Sequence, residues 1–322
     1  MSKKILRKII EPEFGIPFLQ KTISDIKRCS LVKFPRIVQV ETTNVCNAEC
    51  VMCPHSFLKR AATNMDFGLF KKIVDECAGH QRQMEYFYPF LNGELFLTPH
   101  WQEYLSYARV KLAHTKIGIF TNGSLLDEKN ITLLLEIQPD WINISFEGTS
   151  KEAYENIRRK LNFNQVEDNI IKLINKRKQL HKKLPRVTIS IIRMQDNEKD
   201  LKGFVSKWKK IVDKVTVHGY SNWAGAITDK TIQIKTLARK PCYRLWTNLV
   251  VLANGDACLC CLDYEGKVLL GNLSQEAIVQ VWQGARIEEI RSLHMLGQYN
   301  KIELCGNCNF GKYERQHPLW WG

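Results

Sequence analysis

The cysteines of this chain are numerous and grouped. Eleven cysteines occur among 322 residues, and nine of them lie within residues 46–53 and 242–308. A cytosolic chain keeps its thiols reduced, so cysteines grouped in this way favour metal or iron–sulfur ligation over disulfides. The other two stand apart. Cys77 lies within an apolar stretch at helical spacing, which predicts a small core residue, and Cys29 has no predicted role.

The first group lies on one short stretch. Residues 46–53 read CNAECVMC, so Cys46, Cys50 and Cys53 have the spacing CxxxCxxC. Three thiolates on a tight loop can ligate three irons of a cubane 4Fe–4S cluster and leave the fourth iron open to an external ligand. A structural zinc site needs four closed ligands, and His55 could supply the fourth. The spacing favours a cluster and leaves zinc as the alternative.

The apolar pattern around this loop alternates between strand and helix. The sequence predicts strands at 37–41, 84–90, 116–120, 141–146, 187–192 and 214–217, and helices at 66–80, 101–112, 127–137, 151–159, 166–181 and 199–212. Six alternations predict a parallel sheet in an open, partial barrel. Ligands of such sheets bind at the carboxyl ends of the strands. The distinctive residues at the carboxyl ends of predicted strands are Cys46, Gly93, Glu94, Asn122 and Ser145.

The C-terminal region has a different pattern. Periodicity lapses over 219–241, and the residues beyond it are rich in Gly and Cys, with short strands and one helix near 274–294. A module of this size has little core of its own, so a bound metal centre would explain its stability. The predicted organisation is a basic N-terminal extension at 1–35, a partial barrel at 36–218, a linker at 219–241 and a small α+β module at 242–322.

A CxxxCxxC loop after the first strand of a partial (βα)6 barrel resembles the radical S-adenosylmethionine (SAM) superfamily. The resemblance implies an α/β fold whose loop cysteines, Cys46, Cys50 and Cys53, hold a 4Fe–4S cluster that binds SAM. Gly93 and Glu94 resemble the Gly-Gly-Glu-Pro motif that holds the SAM amino group, although the first Gly and the Pro are replaced here.

Three further stretches are similar to motifs of this superfamily. Asn122 lies in a Thr-Asn-Gly turn after the third predicted strand. Ser145 begins a stretch similar to Ser-x-Asp-Gly, which places it near the SAM ribose or carboxylate, and Arg158 follows at the distance of a carboxylate partner. Met52 occupies the position where many members carry an aromatic residue against the adenine. The resemblance therefore implies that these four residues contact SAM.

The second group of cysteines resembles the opening of the auxiliary-cluster domains called SPASM or twitch. Cys242 is followed by twelve residues, Gly255, four residues and Cys260, and Cys305 and Cys308 come after a long gap. The further cysteine run of a full SPASM domain is absent, which implies the shorter twitch-like form that also occurs in an aminocyclitol dehydrogenase. The resemblance assigns these four cysteines to one fully coordinated 4Fe–4S cluster. A four-cysteine zinc ribbon is the alternative.

Several residues near these sites are candidates for catalysis. Cys258 and Cys261 exceed the four ligands, and either could be a spare core thiol. Cys261, beside a ligand, is alternatively a candidate hydrogen-atom donor to a substrate radical. Asp263 is a candidate to orient or deprotonate a substrate hydroxyl. Substrate walls are expected at strand ends, where the further candidates are Tyr88, His218 and Trp223.

The chemistry implied by the resemblance begins with reductive cleavage of SAM to a 5′-deoxyadenosyl radical, which abstracts a substrate hydrogen atom. With an auxiliary cluster nearby, the substrate radical can lose a proton and an electron, so the favoured reaction is dehydrogenation of a small polyol, sugar or aminocyclitol. An alternative is a radical SAM peptide-modifying enzyme or epimerase that uses Cys261 as hydrogen-atom donor. A third hypothesis, from another class, is a binding protein stabilised by zinc or a cluster and without chemistry.

The charge of the chain bears on its partners. Lys and Arg number 47 against 33 Asp and Glu, which gives a net charge of +14. No nucleic-acid signature accompanies that charge, so we expect no nucleic acid, and an acidic flavodoxin or ferredoxin that donates electrons fits it better. No apolar run is long enough for a membrane span. Glu11 and Glu13 follow the basic N-terminus, which argues against a signal peptide and predicts a cytoplasmic protein.

Overall fold

The computed structural model describes residues 33–148, 150–228 and 239–310. The predicted N-terminal extension at 1–35, with Cys29, lies almost wholly outside these ranges, as does the middle of the predicted linker at 219–241. No helix in the described ranges is both long and apolar enough to cross a membrane.

Parallel strands form the centre of the main sheet. The strands of the N-terminal region are β1 (Ile37–Val40), β2 (Glu49–Cys50), β3 (Tyr86–Tyr88), β4 (Lys116–Thr121), β5 (Trp141–Ser145), β6 (Arg158–Arg159), β7 (Arg186–Ile192) and β8 (Lys214–His218). Six of them are neighbours in the order β1, β3, β4, β5, β7, β8, and every neighbouring pair runs parallel. The predicted partial barrel of six strands is confirmed.

Helices connect these strands. They are α1 (Phe67–Gly79), α2 (Trp101–Lys111), α3 (Glu128–Ile137), α4 (Lys151–Ile157), α5 (Phe163–Gln179) and α6 (Leu201–Trp208). Asp66, Asp127 and Asn162 cap helices α1, α3 and α5, because each side chain accepts a hydrogen bond from a backbone amide of the first turn. The cap at Asn162 explains why α5 begins before the predicted start at residue 166. Helix α4 ends before the predicted residue 159 because the next two residues form β6.

The two faces of the parallel sheet differ in chemistry. One face is apolar and packs under the helices, with Val38, Phe87, Ile119 and Ile142 among its fully buried side chains. Residues that alternate with these belong to the opposite face, which we call the inner face. Its polar members include Gln39, Asn143, Thr188, Ser190 and Thr216. Since parallel strands are usually apolar on both sides, this polar face indicates a ligand-binding surface.

The C-terminal module continues the same sheet. Its strands are β9 (Asn248–Val251), β10 (Asp256–Cys258) and β11 (Leu269–Asn272). Strand β9 lies parallel to β1, with Ile37 opposite Asn248, and β10 and β11 extend the sheet antiparallel to nine strands. Leu249 and Val251 join the main core. Pairing with β9 covers the edge that β1 would otherwise expose.

The helical part of the module corrects one prediction. The single helix predicted near 274–294 is two helices, α7 (Ile278–Trp282) and α8 (Ala285–Met295), and a short α9 (Glu303–Asn307) carries Cys305. Gly284 separates α7 from α8 because it has the extended conformation of a helix N-cap. Around α8 lies a small second core that includes Leu245, Trp246 and Ile290.

Candidate functional site

The structure brings the three cysteines of residues 46–53 together. Strand β2 pairs with β6 and sets Cys50 opposite Arg158. The pKa of the Cys46 thiol is raised to about 12, chiefly by burial and also by the charges of Glu94, Cys50 and Cys53. Burial likewise raises the pKa of Cys53 to about 11, with Cys50 again adding to the rise. Thiols this protonated must release their protons when they ligate a metal.

The donor set of this loop suits a cluster with one open iron. His55, the candidate fourth zinc ligand, is engaged elsewhere, because its Nε2 lies 2.7 Å from the carbonyl oxygen of Asn44. Three thiols without a fourth side chain leave one iron of a 4Fe–4S cluster free for an external ligand. In the described part of the chain, no three Cys, His, Asp or Glu side chains are gathered closely enough to hold a single metal ion.

Arg158 has partners that sequence reasoning did not foresee. Its guanidinium forms a buried ion pair with Glu147, and its Nη1 donates to the Cys50 sulfur at 3.4 Å. Glu147 is fully buried and also accepts from the backbone amide of Ile192 at 3.3 Å. Arg158 therefore links the cysteine loop, through Cys50, to the buried Glu147 carboxylate. Its predicted contact with the SAM carboxylate stays a prediction.

Substituting Arg158→Met is expected to lower the free energy of unfolding by about 3–5 kcal/mol, because Glu147 is left buried without its cation. Urea unfolding of the anaerobically purified protein measures this. Arg159→Met is the matched control: Arg159 is the exposed neighbour in β6, so its loss is expected to cost less than about 0.5 kcal/mol. Equal unfolding midpoints for the two variants would show that the ion pair contributes nothing.

Gly93 and Glu94 dock against the chain that enters the cysteine loop. A Cβ atom on Gly93 would lie 2.3 Å from the carbonyl oxygen of Thr43, so only glycine permits this approach. The backbone amide of Glu94 donates to the Val45 carbonyl at 2.8 Å. Gly93 and Glu94 thus contact the chain that enters the first loop, although Asn92 and Leu95 replace the first Gly and the Pro of the motif.

The Glu94 carboxylate joins this motif to the Thr-Asn-Gly turn. It accepts from the Thr121 hydroxyl at 2.7 Å and from the Asn122 backbone amide at 2.8 Å. Burial raises its pKa, and these hydrogen bonds oppose the rise. Asn122 in turn donates to the side chain of Asn47 at 2.9 Å. The sequence analysis did not identify Asn47 as a site residue. Its position between Cys46 and Cys50 is the sequence feature that could have indicated it.

The remaining predicted SAM contacts lie on different elements. Ser145 ends β5 and stands opposite Ser190 of β7. The Met52 side chain is 4% exposed and belongs to the main core, while its carbonyl accepts from Trp223 Nε1 at 2.8 Å. The roles of Met52 and Ser145 toward SAM stay predictions.

The four cysteines assigned to the auxiliary site also lie close together. The charges of Cys308 and Cys242 act on Cys305, and burial raises the pKa of Cys305 to about 12. Cys242 acts on Cys260 as well, where burial is again the main cause of a raised pKa. Segments 242, 260 and 305–308 therefore lie near one another, and their assignment to one cluster stays a prediction.

His294 of α8 lies among these cysteines and was missed by sequence reasoning. Its side chain is fully buried. Nδ1 accepts from the Cys242 backbone amide at 3.2 Å, and Nε2 lies 3.3 Å from the Cys305 sulfur. Burial, with the nearby charge of Arg239, lowers the pKa of His294 to about 4. The fold brings His294 close to the cysteines, and no sequence motif around residue 294 predicts this proximity.

Three of the other candidates near this site have distinct surroundings. Cys258 is fully buried against Val250 and Leu252, as a core thiol would be. Cys261 accepts from Arg244 Nη1 at 3.1 Å. Asp263 is 1% exposed, and its carboxylate accepts from the backbone amides of Lys267 and Val268. The Asp263 carboxylate thus holds the turn that leads to β11, and the catalytic roles of Asp263 and Cys261 stay predictions.

Tyr88 lies on the inner face, where barrel and module meet. Its ring is 5.5 Å from that of Trp141, which in turn lies 5.1 Å from Phe120. Burial raises the pKa of the Tyr88 phenol, and Tyr243 of the C-terminal module adds to the rise. His218 ends β8 and is exposed. Tyr88 and His218 both belong to the inner face by register, and their role as substrate walls stays a prediction.

One segment after β8 touches both cysteine regions. Trp223 donates to Met52 in the first loop at 2.8 Å. The neighbouring Asn222 donates to the Asn307 carbonyl at 2.8 Å and accepts from the Asn309 amide at 3.2 Å. Trp223 also borders a cavity of about 170 Å³ that Asp263 and Asn307 help to line. This segment therefore connects the two predicted cluster sites.

A buried ion pair makes a second connection. Glu41, fully buried after β1, binds Arg60 through both carboxylate oxygens at 2.8 Å. Arg60 also donates to the Tyr264 carbonyl at 2.9 Å, and the Ala253 amide donates to Glu41 at 3.0 Å. The barrel and the C-terminal module therefore share polar contacts as well as a sheet.

Comparison with known families agrees with this arrangement. Residues 40–206 match the model of the radical SAM superfamily, and residues 242–309 match the iron–sulfur cluster-binding domain called SPASM. The first match covers slightly more than half of the 322 residues, so the chain belongs to the radical SAM superfamily. It is a radical SAM enzyme that uses SAM and a 4Fe–4S cluster, with an auxiliary iron–sulfur domain.

The individual relatives of this chain have low sequence identity to it or match only part of it. The chain is 20% identical to the S-adenosyl-L-methionine-dependent 2-deoxy-scyllo-inosamine dehydrogenase of Niallia circulans, over 85% of this chain and 92% of that protein. It is 31% identical to an uncharacterized protein of Treponema pallidum, but over only 41% of this chain and 36% of that protein. The chain therefore spans about a third of the Treponema relative.

Solved structures share the fold. BtrN in complex with AdoMet and 2-DOIA has a TM-score of 0.60 at 20% identity, over 85% of this chain and 92% of that one. Streptococcus suis SuiB bound to precursor peptide SuiA has a TM-score of 0.63 at 15% identity, over 94% and 77%. These likenesses establish the architecture alone, because enzymes on one fold act on different substrates.

Proposed function

We propose that this enzyme dehydrogenates a small hydroxylated molecule: a polyol, sugar or aminocyclitol. The observation that carries the proposal is the polar inner face of the sheet, where Asn143 stands opposite Thr188 and Ser190 opposite Thr216. The similarity to a 2-deoxy-scyllo-inosamine dehydrogenase along most of both chains supports the same substrate class.

Asn143 is the most informative residue of the inner face. It is 6% exposed, and its Oδ1 has no hydrogen-bond partner among the described residues. A buried amide oxygen without a donor costs about 1–3 kcal/mol. The hydroxyl or amino group of a substrate would supply the donor. Ser190 and Thr216, which are neighbours in register, would add hydroxyl contacts suited to a polyol.

The reaction balances as a two-electron oxidation. When bound and reduced, the first cluster supplies the electron that splits SAM into methionine and a 5′-deoxyadenosyl radical. Dehydrogenation would then take from the substrate one hydrogen atom, which ends in 5′-deoxyadenosine, one proton from the hydroxyl, and one electron, for which the auxiliary cluster would be the acceptor. A carbonyl compound and 5′-deoxyadenosine result. The chain itself orients SAM and substrate and excludes water from the radicals.

The net charge of +14 favours an acidic electron carrier as physiological partner. Opposite charges accelerate the encounter of two proteins and orient their docking. We include a flavodoxin or ferredoxin in the proposal as the carrier whose reduced form would reduce the first cluster and whose oxidised form would accept the electron of the auxiliary one.

The test follows deuterium. The anaerobically reconstituted enzyme is incubated with SAM, dithionite and a panel of polyols and aminocyclitols, including 2-deoxy-scyllo-inosamine. We expect one 5′-deoxyadenosine per oxidised product, deuterium transfer from a substrate carbon into 5′-deoxyadenosine, and no solvent deuterium in the product.

The alternative reaction gives the opposite labelling. An epimerase returns a hydrogen atom to the substrate, so its product made in D₂O carries deuterium at carbon, and Cys261→Ala would abolish that incorporation. Solvent deuterium in a product of unchanged oxidation state would overturn the dehydrogenase proposal. So would turnover of peptides with no turnover of any polyol or aminocyclitol.

A further inference from the structure

We infer that His294 is a positioning residue of the auxiliary cluster, where it holds the Cys242 backbone and donates a hydrogen bond to the Cys305 sulfur. The inference rests on the proposed assignment of these two cysteines as ligands. It deepens the proposed function, because it concerns the site that would accept the substrate electron.

The hydrogen bonds determine which nitrogen of His294 carries the proton. A backbone amide can only donate, so Nδ1, which lies 3.2 Å from the Cys242 nitrogen, must be the acceptor. A neutral imidazole with an accepting Nδ1 carries its proton on Nε2. Nε2 lies 3.3 Å from the Cys305 sulfur, so that proton is directed at Cys305.

The surroundings of His294 keep the ring in place. The imidazole is fully buried and makes an edge contact with the Tyr299 ring, with centroids 5.0 Å apart and planes at 72°. Arg239 holds Tyr299 in two ways. Its guanidinium carbon lies 4.5 Å from the Tyr299 ring centroid, and its backbone carbonyl accepts a hydrogen bond from the Tyr299 hydroxyl at 3.3 Å. A ring fixed in this way is preorganised toward both cysteines.

An N–H bond directed at a ligand sulfur has two consequences. It orients the ligand, as the outer partners of metal sites generally do. It also withdraws negative charge from the sulfur, which stabilises the reduced cluster and raises its reduction potential. His294 would therefore make the auxiliary cluster a better electron acceptor. It would also join two ligand segments, at Cys242 and Cys305, that are distant in sequence.

The test isolates the auxiliary cluster. The full-length variant with Cys46, Cys50 and Cys53 all replaced by alanine serves as parent, so that any cluster signal comes from the second site. Into it we introduce His294→Phe, which removes both nitrogens, and His294→Gln, whose terminal amide can replace the Nε2 donor. Ser292→Ala, at an exposed position of α8, is the control. Iron is counted, and the midpoint potential is measured by EPR-monitored redox titration.

We expect the Phe variant to have a more negative midpoint than the parent, the Gln variant to recover most of the shift, and the Ser292→Ala variant to match the parent. A cluster-loaded Phe variant with the parent's midpoint would overturn the inference. If the Phe variant loses its iron, the Gln variant decides alone: the parent's midpoint supports donation to Cys305, and a shifted midpoint or lost iron overturns it. A parent without iron would instead refute the ligand assignment and the electron-acceptor step of the proposed function.

Discussion

Replacing Cys46, Cys50 and Cys53 together by alanine is expected to abolish SAM cleavage and to reduce the iron content from about eight to about four atoms per chain. The three thiols are the only predicted ligands of the SAM-binding cluster, and the His55 ring next to them is occupied by the Asn44 carbonyl. Without the cluster no electron reaches the sulfonium of SAM. The residual four irons should belong to the second site, whose cysteines the substitution leaves untouched.

Iron and sulfide analysis after anaerobic reconstitution measures the first effect, and 5′-deoxyadenosine release with dithionite and SAM measures the second. Cys77→Ala is the matched control, since Cys77 is a fully buried core thiol of α1 and should keep both clusters. SAM cleavage that persists in the triple variant would refute the assignment. About four irons in the unmodified protein would mean that the second site holds zinc or nothing, and a redox-neutral reaction would then be favoured.

Replacing Cys305 and Cys308 by alanine should separate the two halves of the reaction. We expect SAM cleavage to continue while oxidation of the substrate falls by at least about two orders of magnitude, or about 2.7 kcal/mol in barrier. The substrate radical would form without an acceptor for its second electron. Iron should again fall by about half.

Product yield per 5′-deoxyadenosine is the decisive measurement for this second variant. Cys258→Ala is its control, because Cys258 lies in the same module and is fully buried but packs against Val250 and Leu252. The control should keep the ratio of product to 5′-deoxyadenosine. A double variant that still oxidises substrate at the normal ratio would show that the auxiliary site takes no part in electron transfer.

The parts of this fold that follow from the sequence are those with a local signal. Strands of the barrel alternate in polarity or form short apolar runs, and the helices begin at side chains such as Asp66 and Asp127 that cap them. The cysteine loop could be predicted because three cysteines lie within eight residues. Glu94 and Asn122 followed from the rule that strand ends meet at one edge of a parallel sheet.

The parts that could not be predicted depend on distant partners. Nothing in the sequence near Asn248 indicates that β9 will lie beside β1. The backbone groups of β9 could pair with those of any exposed strand, so the local sequence does not specify the partner. Arg158 has the sequence context of a helix-surface cation, and only β6 reveals its ion pair with Glu147. His294 and Glu41 are likewise single polar residues whose burial becomes favourable only when other segments supply their partners, such as Cys242 for His294 and Arg60 and Ala253 for Glu41.

The position of β9 also sets the order in which this protein can be made. Glu41 and Ala253, which are hydrogen-bonded beside these strands, lie 212 residues apart. During synthesis the outer edge of β1 therefore stays unpaired until β9 has left the ribosome. Contacts of such long range form slowly, and an unpaired edge strand is a site of aggregation. A nascent barrel would benefit from chaperones during this interval, and expression of the barrel without its C-terminal module should yield insoluble protein.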